Sequence, residues 1–381
     1  MSLSHSPKIV TNGLAFAYDM GNSKKSWKGA PTFNASLRDG QDDFNPWFGD
    51  GSPTALGIDP SVRFRKRKVA KFQTGTSQNC YINGVGDLSN GTTSTSWTST
   101  IYLKRVDGSP PPANIGMYLY VSSTSNANAT IALEPVEDGW YKAVYTRSGL
   151  PSGYPTLTGM YGLGVGVQYY FADWQCENNS FSTPWVSGTR SNTEAILDMV
   201  GNSTITATSP TYNSDGSFTF NSGTERLDIS NSIPISNNFS WSAWIRSNNI
   251  SQTQNIVSMN GPYFMRISNS RVRFNILTSG GWLFQNGTTV LSSDTWYNLC
   301  MVWNGADNTW TGYINGEEEF SVSKSGAVTY SSLYGYVGYT PQGGEQSYFN
   351  GDIPVVYCHT KALTAAEVAQ NFNALRGRYG I

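Results

Sequence analysis

The sequence predicts an all-β protein: two antiparallel β-sandwiches, closed by a single helix. Three observations carry this. Charged residues make up only 13% of the 381 positions, about half the usual share, while aromatics supply 13% and glycine 39 positions. Short runs of Val, Ile, Tyr, Trp and Thr alternate with clusters of Gly, Asn, Ser and Asp, the pattern of strands separated by turns. One stretch, near the C-terminus, combines helical spacing of apolar residues with capping residues.

The elements follow in chain order. NGLAFAYDMGNSKKSW (12–27) opens with a strand pattern. In SWTSTIYLKR (96–105), Trp97, Ile101 and Leu103 alternate with Tyr102 and Lys104. NIGMYLYVSS (114–123), DGWYKAVYTR (138–147) and VQYYFADWQCENNSFSTPWVSGTR (167–190) continue in the same style and complete one sandwich. In NFSWSAWIR (238–246), Phe239, Trp241, Ala243 and Ile245 share a face. WYNLCMVWN (296–304) is apolar on both faces, as a central strand covered on each side would be. WTGYINGEEEF (310–320) is a hairpin, because Asn315-Gly316 accepts the positive φ angles of a tight turn. In the final element Thr364 and Glu367 form a capping box, and Leu363 and Val368 take the positions of a hydrophobic staple. Val368, Phe372 and Leu375 form one stripe, and Gly377, between Arg376 and Arg378, ends the helix. A helix of about eleven residues is marginal in water, so its stripe must dock on a sheet.

Part of the sequence resembles a known family. FNGDIPVVYCHTKALTAAEVAQNFNALRGRYG is similar to the closing segment of the concanavalin A-like, laminin-G-like jelly-roll domains of phage and bacterial proteins, and 12–27 and 196–230 resemble their earlier strands. The resemblance implies a jelly roll built from residues 1–27 and 192–381. Residues 28–191 form an inserted β-sandwich similar to the carbohydrate-binding-module-like jelly rolls of phage fibre proteins, whose closing strand resembles DWQCENNSFSTPWVSGTR. It further implies a virion protein: a capsid decoration, collar or fibre subunit, docking to other virion proteins and adhering to host glycans. The alternatives are a stand-alone carbohydrate-binding lectin-like protein and, third, a glycan hydrolase. Collagen-like, coiled-coil and β-helical repeats are absent, which favours a compact knob or decoration protein. A homo-oligomer is expected, with MSLSHSPKIV as a candidate anchor or strand-exchange segment against the common case of a frayed terminus.

Several classes are disfavoured by the residues themselves. A net charge of −1 gives no broad basic field for nucleic acid. No apolar run reaches the roughly 18 residues needed to cross a bilayer, and the N-terminus lacks the apolar core of a signal peptide; a virion protein made in the host cytoplasm fits both. Cys80, Cys176, Cys300 and Cys358 are scattered without a CxxC pair and are expected as free, buried thiols. The two histidines, His5 and His359, give no nucleophilic triad. No E-x-D-x-x-E motif supplies a glycosidase acid pair. Glu317 and Glu319 beside the hairpin turn are expected as solvated charges, so no enzyme is expected. YGLGVGV (161–167) lacks the spacing of a phosphate loop. The N-x-S/T sequons, including Asn90 and Asn286, are the chance yield of an Asn/Ser/Thr-rich chain.

Two groups stand out as candidate sites. Trp282, Trp310 and Tyr339 lie beside loop-like residues and are the glycan-binding candidates, with core or interface placement as the competing reading. Arg63, Arg65, Lys66, Arg67 and Lys68 form a basic run, a candidate interface for an acidic partner; extended, Arg63, Arg65 and Arg67 would share one face. The competing reading pairs the run with Asp39, Asp42, Asp43 and Asp50. Asp42, Asp43 and Asp50, or Asp352, could supply oxygens to a structural calcium, but no loop spacing supports it. Metal and cofactor are left unassigned.

Overall fold

The computed structural model describes residues 8–33, 47–48, 54–76, 82–84, 94–121, 128–149, 155–186, 188–213, 217–230, 233, 237–259, 263–328, 335–341 and 347–381. The chain divides into two compact units, Met1–Ala30 with Asn192–Ile381, and Pro31–Ser191. Cys80 and the aspartates at 39, 42, 43 and 50 fall outside the described residues.

The first unit is a sandwich of an eight-stranded and a seven-stranded antiparallel sheet. In the eight-stranded sheet, Asn350–His359 lies between Asn238–Ser247 on one side and two shorter strands on the other. One of these shorter strands is Leu14–Asp19, which pairs with the 355–359 end; the other, Phe218–Asn221, pairs with the 350–352 end. The N-terminal segment thus supplies a strand to a sheet whose other members follow 190 residues later. Trp27 bridges to Ile196, and the Lys28 amide donates to the Ala195 carbonyl at 2.9 Å. The two chain ends that flank the second unit therefore run side by side, which is the condition for an inserted domain to leave its host intact.

The core between the sheets is rich in aromatics. Phe239, Trp241, Ala243 and Ile245 enter it from one strand, and Leu299, Met301 and Trp303 from the next. Trp241 donates its indole N–H to the Tyr263 hydroxyl at 3.1 Å, which satisfies a buried donor across the two sheets. The other face of Trp296–Asn304 explains why that strand is apolar throughout: Cys300 and Val302 pack with Val10, Tyr313, Leu363 and Val368. The helix Ala365–Leu375 therefore covers the outside of the eight-stranded sheet. Its capping box is present, with the Glu367 amide donating to Thr364 Oγ1 at 3.3 Å and the Thr364 amide to Glu367 Oε2 at 3.0 Å. Val368 and Leu375 are buried as expected, while Phe372 is half-buried against Trp244, its ring 5.8 Å from the indole. The helix passes into a short 3-10 turn, Arg376–Arg378, rather than stopping at Gly377. That turn brings Tyr379 onto Trp244 at 4.3 Å and Arg378 onto Asp19 at 2.5 Å.

The second unit has a six-stranded and a five-stranded antiparallel sheet, together with a two-stranded stem of Thr32–Phe33 against Thr189–Arg190. Trp97, Ile101, Leu103, Met117, Tyr169 and Phe171 are among its core residues. The buried Glu177 carboxylate ties the stem region together, accepting from Thr32 Oγ1 at 3.1 Å and from the Thr183 amide and hydroxyl at 2.8 and 2.6 Å. Cys176, Cys300 and Cys358 are buried, and burial pushes all three thiols up, which leaves them unreactive.

The N-terminal arm is strapped down by His359 and the helix. His359 is 1% exposed, and its Nε2 lies 2.9 Å from the Val10 carbonyl, which requires the proton on Nε2. The Val10 amide donates to Asn371 Oδ1 at 2.7 Å, and Gln370 Nε2 donates to the Lys8 carbonyl at 2.7 Å. Burial lowers the His359 pKa, with Lys361 adding to the effect and the Val10 bond and Glu367 opposing it. The folded state then binds fewer protons than the unfolded chain, in which histidine titrates near ~6.5. Its contribution is complete above that pH and is lost as pH falls below it. Thermal unfolding followed at pH 7.5 and 5.5 should show a larger loss of Tm for the wild type than for His359→Gln.

Candidate functional site

The outer face of the seven-stranded sheet is built by alternation. Along Arg271–Thr278, Val272, Phe274 and Ile276 enter the core, so Arg273, Asn275 and Leu277 point the other way. Register then fixes their neighbours. Phe264 and Phe284 lie directly opposite Asn275 on the two flanking strands, Arg266 and Asn286 opposite Arg273, and Trp282 opposite Leu277. Directly paired side chains on one face have Cβ atoms about 4.5–5.5 Å apart, so these groups form one patch. The Trp282 ring stacks on Phe284 with centroids 5.6 Å apart and planes at 13°, and meets Phe264 at 5.8 Å. The Arg273 guanidinium sits 4.8 Å from the Phe284 centroid, and that of Arg266 sits 4.9 Å from Phe264. Trp282 and Phe284 belong to the last strand of the sheet, Gly281–Asn286. Phe284 is 48% exposed and Trp282 half-buried.

A second aromatic group shares this face. Tyr336, on Gly335–Val337, lies opposite Ser258 and Asp228. Tyr339 follows it and stacks on Tyr348 at 4.7 Å and 19°, with Tyr336 edge-on at 5.5 Å. The Arg226 guanidinium lies 5.4 Å from the Tyr339 centroid and pairs with Asp228 at 2.8 Å. Burial raises the Tyr339 pKa, so its phenol keeps its proton, and with it a donor, at neutral pH. From the Trp282 strand to the Tyr336 strand is four strand spacings, or roughly 19 Å. Between them the face carries Asn275, Arg266 and Ser258, all buried.

Two of the three aromatic candidates, Trp282 and Tyr339, are therefore on one face. Trp310 is not a surface platform: it is 0% exposed and packs in the core against Phe239 at 6.1 Å, Trp303 at 6.2 Å and Phe274 at 6.5 Å. The NGADNT loop before it drew it toward the surface reading, but its strand alternation carries it inward. Phe264, Phe284, Tyr336 and Tyr348 were missed. A signal for Phe284 was present, since it stands two residues after Trp282 and must share its face.

The basic run is arranged differently from the expectation. Arg65 and Lys66 occupy a tight turn with φ of 48° and 71°, joining Thr54–Phe64 to Arg67–Gln73. The reversal places Arg63 opposite Lys68 and Phe64 opposite Arg67, so Arg63 and Arg67 lie on opposite faces. Their expected partners at 39–50 fall outside the described residues. Arg65 instead pairs with Glu137 at 2.7 Å and lies over the Phe64 and Tyr102 rings. Arg67 binds Asp173 through Nε at 2.5 Å and lies 4.8 Å from the Trp185 centroid. Arg63 donates to the Val62 carbonyl at 2.8 Å, while Lys66 and Lys68 are exposed.

The other polar candidates are engaged in the fold. Glu319 is not a freely solvated charge. Desolvation works against its ionisation, but hydrogen bonds from the amides and hydroxyls of Thr289 and Thr288 outweigh that and hold its pKa below the usual value. Glu317 is exposed. Asp352 accepts from Arg246 at 2.9 and 2.6 Å and from Thr219 at 2.9 Å, so a cation there would displace an ion pair. Among the described residues, no group of three or more His, Cys, Asp or Glu side chains is placed to hold a metal.

Residues 214–369, which lie within the first unit, match the family model of the concanavalin A-like lectin/glucanases superfamily. Similar solved structures include the binding domain of botulinum neurotoxin DC in complex with SialylT (16% identity, 49% of this chain and 50% of that chain, TM-score 0.40). The botulinum neurotoxin serotype D binding domain is also similar (17% identity, 50% of each chain, TM-score 0.38). So is the botulinum neurotoxin type G receptor-binding domain (16% identity, 46% and 48%, TM-score 0.37). The chain spans about half the length of these structures. Comparison with curated protein sequences finds no match.

The basic run yields a direct prediction. Asp173 is 9% exposed, and desolvation raises its pKa against the opposing pull of Arg67. Arg67→Ala should cost roughly 3 kcal/mol in denaturant unfolding, because it leaves a buried carboxylate unpaired. Lys66→Ala should change stability by less than about 0.5 kcal/mol.

Proposed function

We propose that this chain binds glycans through the outer face of the seven-stranded sheet, acting by adhesion rather than catalysis. The observation that carries the reading is the placement of Trp282 and Tyr339, each partly exposed and stacked on a second ring, on one face of a lectin-like fold. Sugar rings present an apolar C–H face and a rim of hydroxyls. Stacked aromatics meet the first, while amide, hydroxyl and guanidinium groups meet the second. Between Trp282 and Tyr339 the face carries the amide of Asn275 and the guanidinium of Arg266, and Arg226 lies over the Tyr339 ring. Catalysis is disfavoured because Glu319 is committed to Thr288 and Thr289, and His359 is buried beneath the N-terminal arm. The individual sites are expected to be weak, and several copies on one particle would convert them to avidity.

Glycan-array binding of the whole chain tests this reading. Trp282→Ala and Tyr339→Ala should each weaken binding about tenfold, the equivalent of ~1.4 kcal/mol, with circular dichroism unchanged; full binding by both variants contradicts it.

The wider setting we propose is the surface of a phage virion, as a decoration, collar or fibre subunit. Its support is the low-charge, β-rich composition and the resemblance of the closing segment to jelly-roll domains of phage and bacterial proteins. Saturable co-sedimentation with stripped capsids is the expected result for a decoration protein, and its absence removes the capsid as the partner.

A further inference from the structure

We infer that the face around Trp282 selects sugars carrying an acetamido group, with Asn275 as the recognising residue; this rests on the glycan-binding reading above. Asn275 is 0% exposed, yet neither its Oδ1 nor its Nδ2 has a hydrogen-bond partner among the described residues. A buried polar group left unmade is costly and calls for a partner. Here one group must supply a donor and an acceptor together, because the side-chain amide presents an acceptor oxygen and donor N–H groups. A secondary amide does this in matched geometry: its N–H reaches Oδ1 and its carbonyl accepts from Nδ2.

The surroundings separate an acetamido group from a plain hydroxyl. Asn275 is flanked by Phe264 and Phe284 across the strands, and Trp282 stacks beside them at 5.6 and 5.8 Å. An acetamido methyl gains by burial against three rings, whereas a hydroxyl cluster placed there would lose water without replacement partners. Trp282 and Phe284 belong to the edge strand and Phe284 is 48% exposed, so the approach to Asn275 is from their side. Ligand entry requires these two rings to swing outward, and they then close on the acetamido methyl.

Titration calorimetry of the whole chain with N-acetylglucosamine and chitotriose, against glucose and cellotriose, tests the inference. At least a tenfold preference for the acetamido series is expected. Asn275→Leu should bring the ratio close to one while keeping or raising Tm, because it removes an unsatisfied buried amide without changing the shape greatly. A residue with a purely structural bonding role would instead lower Tm on that substitution. Equal affinity of the wild type for the two series, or a preference that survives in Asn275→Leu, overturns the inference while leaving glycan binding intact. Binding of neither series overturns the inference, and an array without hits overturns glycan binding as well. Should the leucine variant fail to fold, saturation-transfer NMR on the wild type decides. The strongest transfer is expected at the N-acetyl methyl, and a silent methyl beside saturated ring protons contradicts the assignment.

Discussion

The first unit depends on the pairing of Leu14–Asp19 with the far end of Asn350–His359. This contact joins residues more than 330 positions apart and completes an edge that Phe218–Asn221 covers only over 350–352. Several buried interactions converge on it. Asp198 accepts from the Ala17 amide at 2.9 Å, Tyr18 donates to the Ile353 carbonyl at 2.7 Å, and Arg378 grips Asp19. Each brings a different part of the chain to the same short strand. Such non-local closure is slow to form but fixes register firmly, and the helix and N-terminal arm can dock only once it exists.

The two sheets of this unit have been given different tasks. The central strands of the eight-stranded sheet bury apolar side chains on both sides, with the helix, Val10 and Tyr379 packed on the outer one. The seven-stranded sheet is apolar inside and mixes rings with amides, hydroxyls and guanidinium groups outside. A helix covering one sheet leaves the other to present side chains, and rigid strands hold them at fixed spacing. The proposed binding by the outer strands rests on that division of labour, without recourse to a mobile loop.

Much of this was legible in the sequence because the signals were local. The capping box of Thr364 and Glu367, the Asn315-Gly316 turn and the alternation at 238–246 each depend on residues a few positions apart. The double-sided apolar strand at 296–304 was readable too, and its two faces now have separate partners. What was not legible depended on register between distant strands. Trp310 looks like a loop-edge aromatic until its alternation places it inward, and Asn275 is unremarkable in the sequence because its setting comes from Phe264 and Phe284 on two other strands. The basic run was misjudged for a related reason: a turn formed at Arg65-Lys66, where positive φ is unfavourable for such residues, reverses the chain and separates Arg63 from Arg67. The partners Glu137 and Asp173 lie far along the chain and no spacing announces them.

The central claim is that ligand contact falls on the outer strands of the seven-stranded sheet. Hydrogen–deuterium exchange of the whole chain, with and without the tightest soluble glycan from an array, tests it most directly. The account predicts added protection in 263–286 and 335–348, with little change along 296–323 or in residues 94–186. Protection confined to the second unit, or to the helix-covered sheet, would contradict it.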